Sequence, residues 1–203
     1  MAQQIQTPTM TAEAFWDFSQ MRADAEARYE LVKGELWTMS PTGARHGVIA
    51  LRLGRLIGNF VAENQLGEVF GAETGFILHR SASGEDTVLA PDVGFVSHER
   101  LPDSAQIEGF VPAAPDLAVE VLSPSQSHTQ LMRKVMLYLR YGTRHVWLVD
   151  PGYETVSVYA AQSSGTMLTQ VYERDGIISG EEVLPGFTIP VAEVFESAWS
   201  RKK

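Results

Sequence analysis

Apolar positions fall along this chain in two periods, one close to two residues and one close to 3.6. Residues 116–122, DLAVEVL, and 145–149, HVWLV, are near-continuous apolar runs of strand length. Such runs predict strands covered on both faces, as in a parallel or mixed sheet sandwiched by helices. Between them, Leu131, Met132, Val135, Met136 and Leu139 supply the packing surface of an amphipathic helix. Gln130, Lys134, Tyr138 and Tyr141 form another stripe of that helix, at spacings of three or four. Nearer the start, TAEAFWDFSQ predicts a short helix capped by Thr11, and YELVKGELWTM a hairpin turning between Val32 and Glu35. RHGVIALRLGRLIGNFVAENQ predicts a long amphipathic helix with Ile49, Leu53, Leu56, Ile57 and Phe60 on one face.

The middle of the chain carries GEVFGAETGFILHR, read as one strand, and SASGED, read as a turn into TVLAPDVGFV. Together these runs predict an antiparallel pair. SHERLPDSAQIEGFVPAA is polar and proline-containing, and reads as a long loop bordering a cleft. Beyond Pro151, TVSVYAA and MLTQVYER predict a second hairpin about Ser163, Ser164 and Gly165, whose alternation leaves Tyr159 and Tyr172 to be covered by the faces of the main sheet or by a second subunit. IISGEEVLPGFTIP reads as short strand or loop pieces and VAEVFESAW as a terminal helix, while the first ten residues and Arg201 to Lys203 read as loose ends. The sum is an α/β chain with a mixed central sheet, flanking helices and additional hairpins. It is expected to form a single domain over residues 1–203, with a helix and hairpin at 9–40, a core at 42–150 and a hairpin and helix at 151–199.

Composition narrows the chemistry. No run reaches membrane-spanning length and no signal peptide opens the chain, which predicts a cytoplasmic protein without a membrane partner. Zero cysteines exclude thiolate metal sites and cysteine nucleophiles. There is no glycine-rich phosphate loop after a strand, no nucleophile elbow and no paired histidines for zinc. What stands out is acid inside apolar runs. Asp92 follows Pro91 in TVLAPDVGFV, and Glu120 lies near the end of DLAVEVL, where an unpaired carboxylate is costly to bury. Two acids on neighbouring strands, with Lys134 on the next helix, make a set suited to a divalent cation such as Mg²⁺. Asp116 shares a face with Glu120, but four residues of strand separate them by roughly 13 Å, too far to share one ion.

Pro91-Asp92, Glu120 in EVLS, Lys134 and Tyr138 in KxxxY, and HVWLVDP resemble, in this order, the restriction-endonuclease-like PD-(D/E)xK superfamily. More narrowly they resemble the bacterial group known as domain of unknown function 820. The resemblance runs from YELVKGEL, at residues 29–36, to the C-terminus. It implies a restriction endonuclease-like fold and a Mg²⁺- or Mn²⁺-dependent endonuclease acting on DNA. In that reading Asp92 and Glu120 are metal ligands and Lys134 polarises the attacking water or the scissile phosphate. Glu30 adds an outer or second-metal contact, and His46, Gln130 and Tyr138 are accessory. It also implies a homodimer.

Two positions depart from that pattern. The superfamily lysine normally follows the second acid by two residues, where this chain has Leu122, so Lys134 on the helix takes its part. Gln130 stands where related sequences carry an aspartate. Both keep open a catalytically weakened, nucleic-acid-binding or regulatory module, and the acidic surface keeps open an oligomeric scaffold. The formal net charge of -9 also works against a polyanion unless a local patch offsets it. Arg45, Arg52 and Arg55 are candidates for that patch, although three arginines on one helix read first as its solvated side.

Overall fold

The computed structural model describes residues 9–21, 28–101, 108–123, 127–162 and 165–196. In chain order the elements are α1 (Ala12–Met21), β1 (Arg28–Val32), β2 (Glu35–Met39), α2 (Ala44–Asn64), β3 (Gly67–Gly71), β4 (Phe76–His79), β5 (Thr87–Leu89), β6 (Val93–Ser97) and β7 (Leu117–Val121). After these come α3 (His128–Arg140), β8 (His145–Asp150), β9 (Thr155–Ala161), β10 (Met167–Tyr172), β11 (Ile177–Ser179), β12 (Thr188–Pro190) and α4 (Val191–Phe195).

The central sheet has six strands in the order β10-β9-β8-β7-β6-β3. β7 and β8 are parallel and every other pairing in it is antiparallel. The parallel pair demands a crossover, and α3 provides it. The mixed sheet flanked by helices is the architecture expected from the apolar runs.

α2 covers one face with Ile49, Leu53, Ile57 and Val61, joined by Val183, Leu184, Ile189 and Phe195 of the C-terminal segment. α3 covers the other with Leu131, Val135 and Tyr138, beside Val32, Phe76 and Leu89 of a four-stranded sheet ordered β2-β1-β5-β4. That second sheet approaches closely because β6 carries Gly94, where a Cβ would lie 2.6 Å from the Phe76 ring. Residues Lys33 and Gly34 turn the β1–β2 hairpin at φ 51° and 77°, the left-handed pair that a two-residue loop requires.

One expectation needs correcting, and two open points are settled by packing. GEVFGAETGFILHR is two strands, β3 and β4, and TVLAPDVGFV is also two, β5 and β6. β3 pairs with β6 and β4 with β5, so one expected pair is divided between two sheets. Pro91 has no N–H to give a ladder and marks the break. Of the two covers open for the late hairpin, the faces of the sheet provide it, with Tyr159 buried on the α3 side and Tyr172 partly buried on the α2 side. Arg45 and Arg52 form no patch, because Arg45 pairs with Glu154 at 2.9 Å and Arg52 donates to the Val194 carbonyl at 2.8 Å.

Other features match. Thr11 caps α1 by accepting from the Ala14 amide. The turn residues Ser163 and Ser164, the termini and the middle of the 97–114 loop lie wholly or partly outside the described residues, as does the end of the terminal helix. No helix among the described residues is long and apolar enough to cross a membrane.

Candidate functional site

The break at Pro91 creates the site. β6 and β7 pair antiparallel with Val93 opposite Val119, so Asp92 and Glu120 are the next positions along each strand. There the backbone ladder stops and the Asp92 side chain takes over. Its Oδ2 accepts a hydrogen bond from the Val121 amide at 2.8 Å and lies 3.1 Å from Nε2 of His46, the buried histidine in the first turn of α2. Asp92 therefore sits at the end of the sheet, tied to β7 and to the helix on the α2 face.

Glu120 points, with Ala118, toward α3, and it lies near enough to Asp92 for that charge to act on it. Its Oε1 lies 2.6 Å from the Lys134 ammonium and accepts from the Tyr138 hydroxyl at 2.9 Å. Helical spacing puts Lys134 and Tyr138 one turn apart, so both reach the same carboxylate. Lys134 also meets Glu30 Oε1 at 2.9 Å, and that oxygen accepts from the Ala90 amide at 3.0 Å. The β1–β2 hairpin thus delivers Glu30 to the residues beside Pro91. Glu30, Glu120, Lys134 and Tyr138 are all buried.

The electrostatics follow from that burial. Burial lifts the Glu120 carboxyl from its usual range to about 7; Lys134 pulls it down, while the charges of Asp92 and Glu30 push it further up. For Lys134 burial favours the neutral amine, but Glu120 and Glu30 outweigh it and hold the ammonium above its ordinary value. Burial, followed by the charges of Glu120 and Glu30, holds the Tyr138 phenol well above its ordinary value. At neutral pH Lys134 is a cation and Tyr138 a hydrogen-bond donor. Neither is a base.

The donor set suits a hard cation in chemistry. Each of the three acids makes its contacts through a single oxygen, namely Glu30 Oε1, Glu120 Oε1 and Asp92 Oδ2. Glu30 Oε2 is buried and has no hydrogen-bond partner. Among the described residues, however, no group of three or more His, Asp or Glu side chains is arranged to hold a metal by itself. The Lys134 ammonium stands between Glu30 and Glu120. Mg²⁺ does not need a protein cage, since one or two carboxylates with water and substrate phosphate suffice.

Of the remaining sequence candidates, His46 and Tyr138 touch the acids and Gln130 does not. Gln130 is exposed at the start of α3, where its side chain accepts from Ser127 in a capping box. Asp116 lies at the far end of β7 and has a structural explanation. Although burial opposes it, the Ser97 amide and Arg100, at 2.6 Å, hold its carboxyl below the usual range. Leu122 follows β7, and Lys134 reaches Glu120 from α3 instead. Sequence reasoning passed over Trp37 and Arg133. They line, with Lys134, a cavity of about 450 Å³ between β2 and α3.

The Uma2 family, described as "Putative restriction endonuclease", matches residues 15–192. Among solved structures the chain is similar to a crystal structure of "a putative nuclease belonging to DUF820" from Anabaena variabilis. Identity is 23%, coverage is 84% of this chain and 91% of that one, and the TM-score is 0.70. At that identity the likeness shows the fold. Among curated proteins nothing matches the chain.

Proposed function

The chain belongs to the Uma2 family of putative restriction endonucleases, and from that premise we propose a nuclease that hydrolyses DNA phosphodiester bonds with the help of Mg²⁺ or Mn²⁺. The observation that carries the proposal is a charge imbalance. Glu30 and Glu120 both meet one buried ammonium, Lys134, and the charge of Asp92 acts on Glu120 as well. With the three carboxylates ionised, one ammonium leaves the acids in excess. As an element of stability such a cluster is poorly chosen, because apolar packing does as well or better in place of buried ion pairs. As a receptor for a divalent cation its excess charge has a purpose.

In this reading Asp92 and Glu120 hold the cation. A bound divalent ion supplies a polarised water and offsets charge developing on the phosphate. The chain's own residues prepare that event. His46 and the Val121 amide fix the Asp92 carboxylate. Lys134 and Tyr138 fix Glu120 through Oε1 and leave Oε2 for a ligand. Lys134 stands in the cavity wall and, in this reading, gives its positive charge to the scissile phosphate. Glu30 holds Lys134 in place.

The second reading, a binding module without hydrolysis, draws on the same ion pairs. Lys134 already meets both glutamates, and Gln130 adds no charge. Plasmid nicking with Mg²⁺, Mn²⁺ or EDTA, on wild type and on Asp92→Ala, Glu120→Ala and Lys134→Ala, separates the two. Metal-dependent cleavage lost in all three variants supports the nuclease. DNA binding without cleavage in any metal supports the module. A homodimeric assembly belongs to the same proposal, and light scattering checks it.

A further inference from the structure

Several arginines among the described residues are held by a carboxylate. Arg28 pairs with Glu73, Arg45 with Glu154, Arg80 with Glu13, Arg100 with Asp116 and Arg174 with Glu154. Such pairing is expected in a chain with 25 acids against 16 lysines and arginines. α3 is different. It carries Arg133, Lys134 and Arg140 and no acid. Among the described residues, neither Arg133 nor Arg140 nor the neighbouring Lys33 forms an ion pair with a carboxylate.

These unpaired cations border two adjoining cavities. The one of about 450 Å³ has Trp37, Arg133 and Lys134 in its wall, with the hydroxyls of Thr38, Ser40 and Thr129. The other, of about 510 Å³, is bounded by Lys33, Arg133 and Arg140 together with Met136 and Met167. Arg133 belongs to both, and its guanidinium lies over the Trp37 ring at 4.5 Å. Trp37 is only partly buried and stands on β2, an edge strand. The first cavity also has Lys134 in its wall, the residue whose ammonium meets Glu30 and Glu120.

An aromatic ring with a guanidinium against it is a platform for a flat π-system, and every nucleobase has one. A cavity of this size takes one base and cannot take a base pair within a helix. Unpaired cations leading away from it suit the phosphates that flank such a base. We propose that Trp37 and Arg133 stack an unpaired base next to the candidate site, with the backbone continuing past Lys33 and Arg140. The substrate class is then a nucleic-acid strand with at least one unpaired nucleotide, such as a single strand, a flap or a frayed end. The proposal deepens the nuclease reading and rests on it for the cutting step, but not for binding.

Fluorescence anisotropy in EDTA tests it without cleavage. The probes are a short labelled DNA single strand, a strand of equal length with every base removed, and a blunt duplex. Trp37→Ala is expected to weaken binding of the intact single strand about 5- to 150-fold and to leave the abasic strand unchanged. Trp37→Phe is expected to restore most of the loss, and it guards against a folding defect in the alanine variant. Equal binding of the intact strand by wild type and Trp37→Ala would overturn the proposal. So would equal weakening on the abasic strand, or a blunt duplex bound as tightly as the single strand. The nuclease reading fails separately, by the absence of cleavage in Mg²⁺ and Mn²⁺ on every substrate.

Discussion

Lys134 is 3% exposed and holds two carboxylates at hydrogen-bond distance. Removing one partner of a buried ion pair costs about 3–5 kcal/mol when the other stays charged. In Lys134→Met the acids can escape part of that cost by taking a proton, because burial already lifts Glu120 to about 7 beside the ammonium. A raised carboxyl contributes stability that is fully present below its unfolded value, and the contribution is lost as pH rises through the folded value. Urea denaturation of Lys134→Met should therefore show little loss near pH 5 and a loss of about 3–5 kcal/mol by pH 8. Equal losses at both pH values would remove the buried-charge account. The same proton competes with a cation. The half-saturating Mg²⁺ concentration for cleavage should rise about tenfold for each pH unit below 7. His46 acts through Asp92, so His46→Ala should lower cleavage about 10- to 100-fold and His46→Gln, which can still donate, should recover much of it.

Elements carry these side chains to one place, and their legibility in the sequence is uneven for a physical reason. The β1–β2 hairpin, α2, α3 and the β7–β8 pair follow from local periodicity and turn chemistry, which a single segment contains. The acids were legible as well, because Asp92 and Glu120 are polar positions in apolar runs. What stayed hidden is non-local. β5 and β6 read as one run, yet β5 pairs with β1 and β4 while β6 pairs with β3 and β7. Trp37 and Arg133 are ordinary in their own segments, and only the packing of β2 near α3 brings them together. Gly94 makes the same point. It looks like a weakness in a strand, but Phe76 of the second sheet occupies the space its side chain would need. Gly94→Val should cost about 1–3 kcal/mol through overpacking. It should also lower cleavage, because the displaced β4–β5 pair is hydrogen-bonded to the hairpin that carries Glu30. Calorimetry and the nicking assay check the two effects, and a fully stable, fully active variant would contradict the packing argument.

At the scale of the whole molecule, a net charge of -9 repels a polyanion, so any productive approach must be local and must depend on ionic strength. The face bounded by Lys33, Arg133 and Arg140 is where the described cations are free of acids and adjoin the candidate site. If each meets one phosphate of a single strand, log K should fall with log salt at a slope of about -0.7 per contact, or about -2 for the three. The variant Lys33→Ala/Arg133→Ala/Arg140→Ala should weaken single-strand binding at low salt and flatten that slope by about 2. Arg45→Ala/Arg55→Ala provides the control, since Arg45 is committed to Glu154 and both belong to α2 on the other face of the sheet. That control should leave the slope unchanged. An identical slope in the triple variant and wild type would place the phosphate contacts elsewhere, and a flattened slope in the control would assign them to α2.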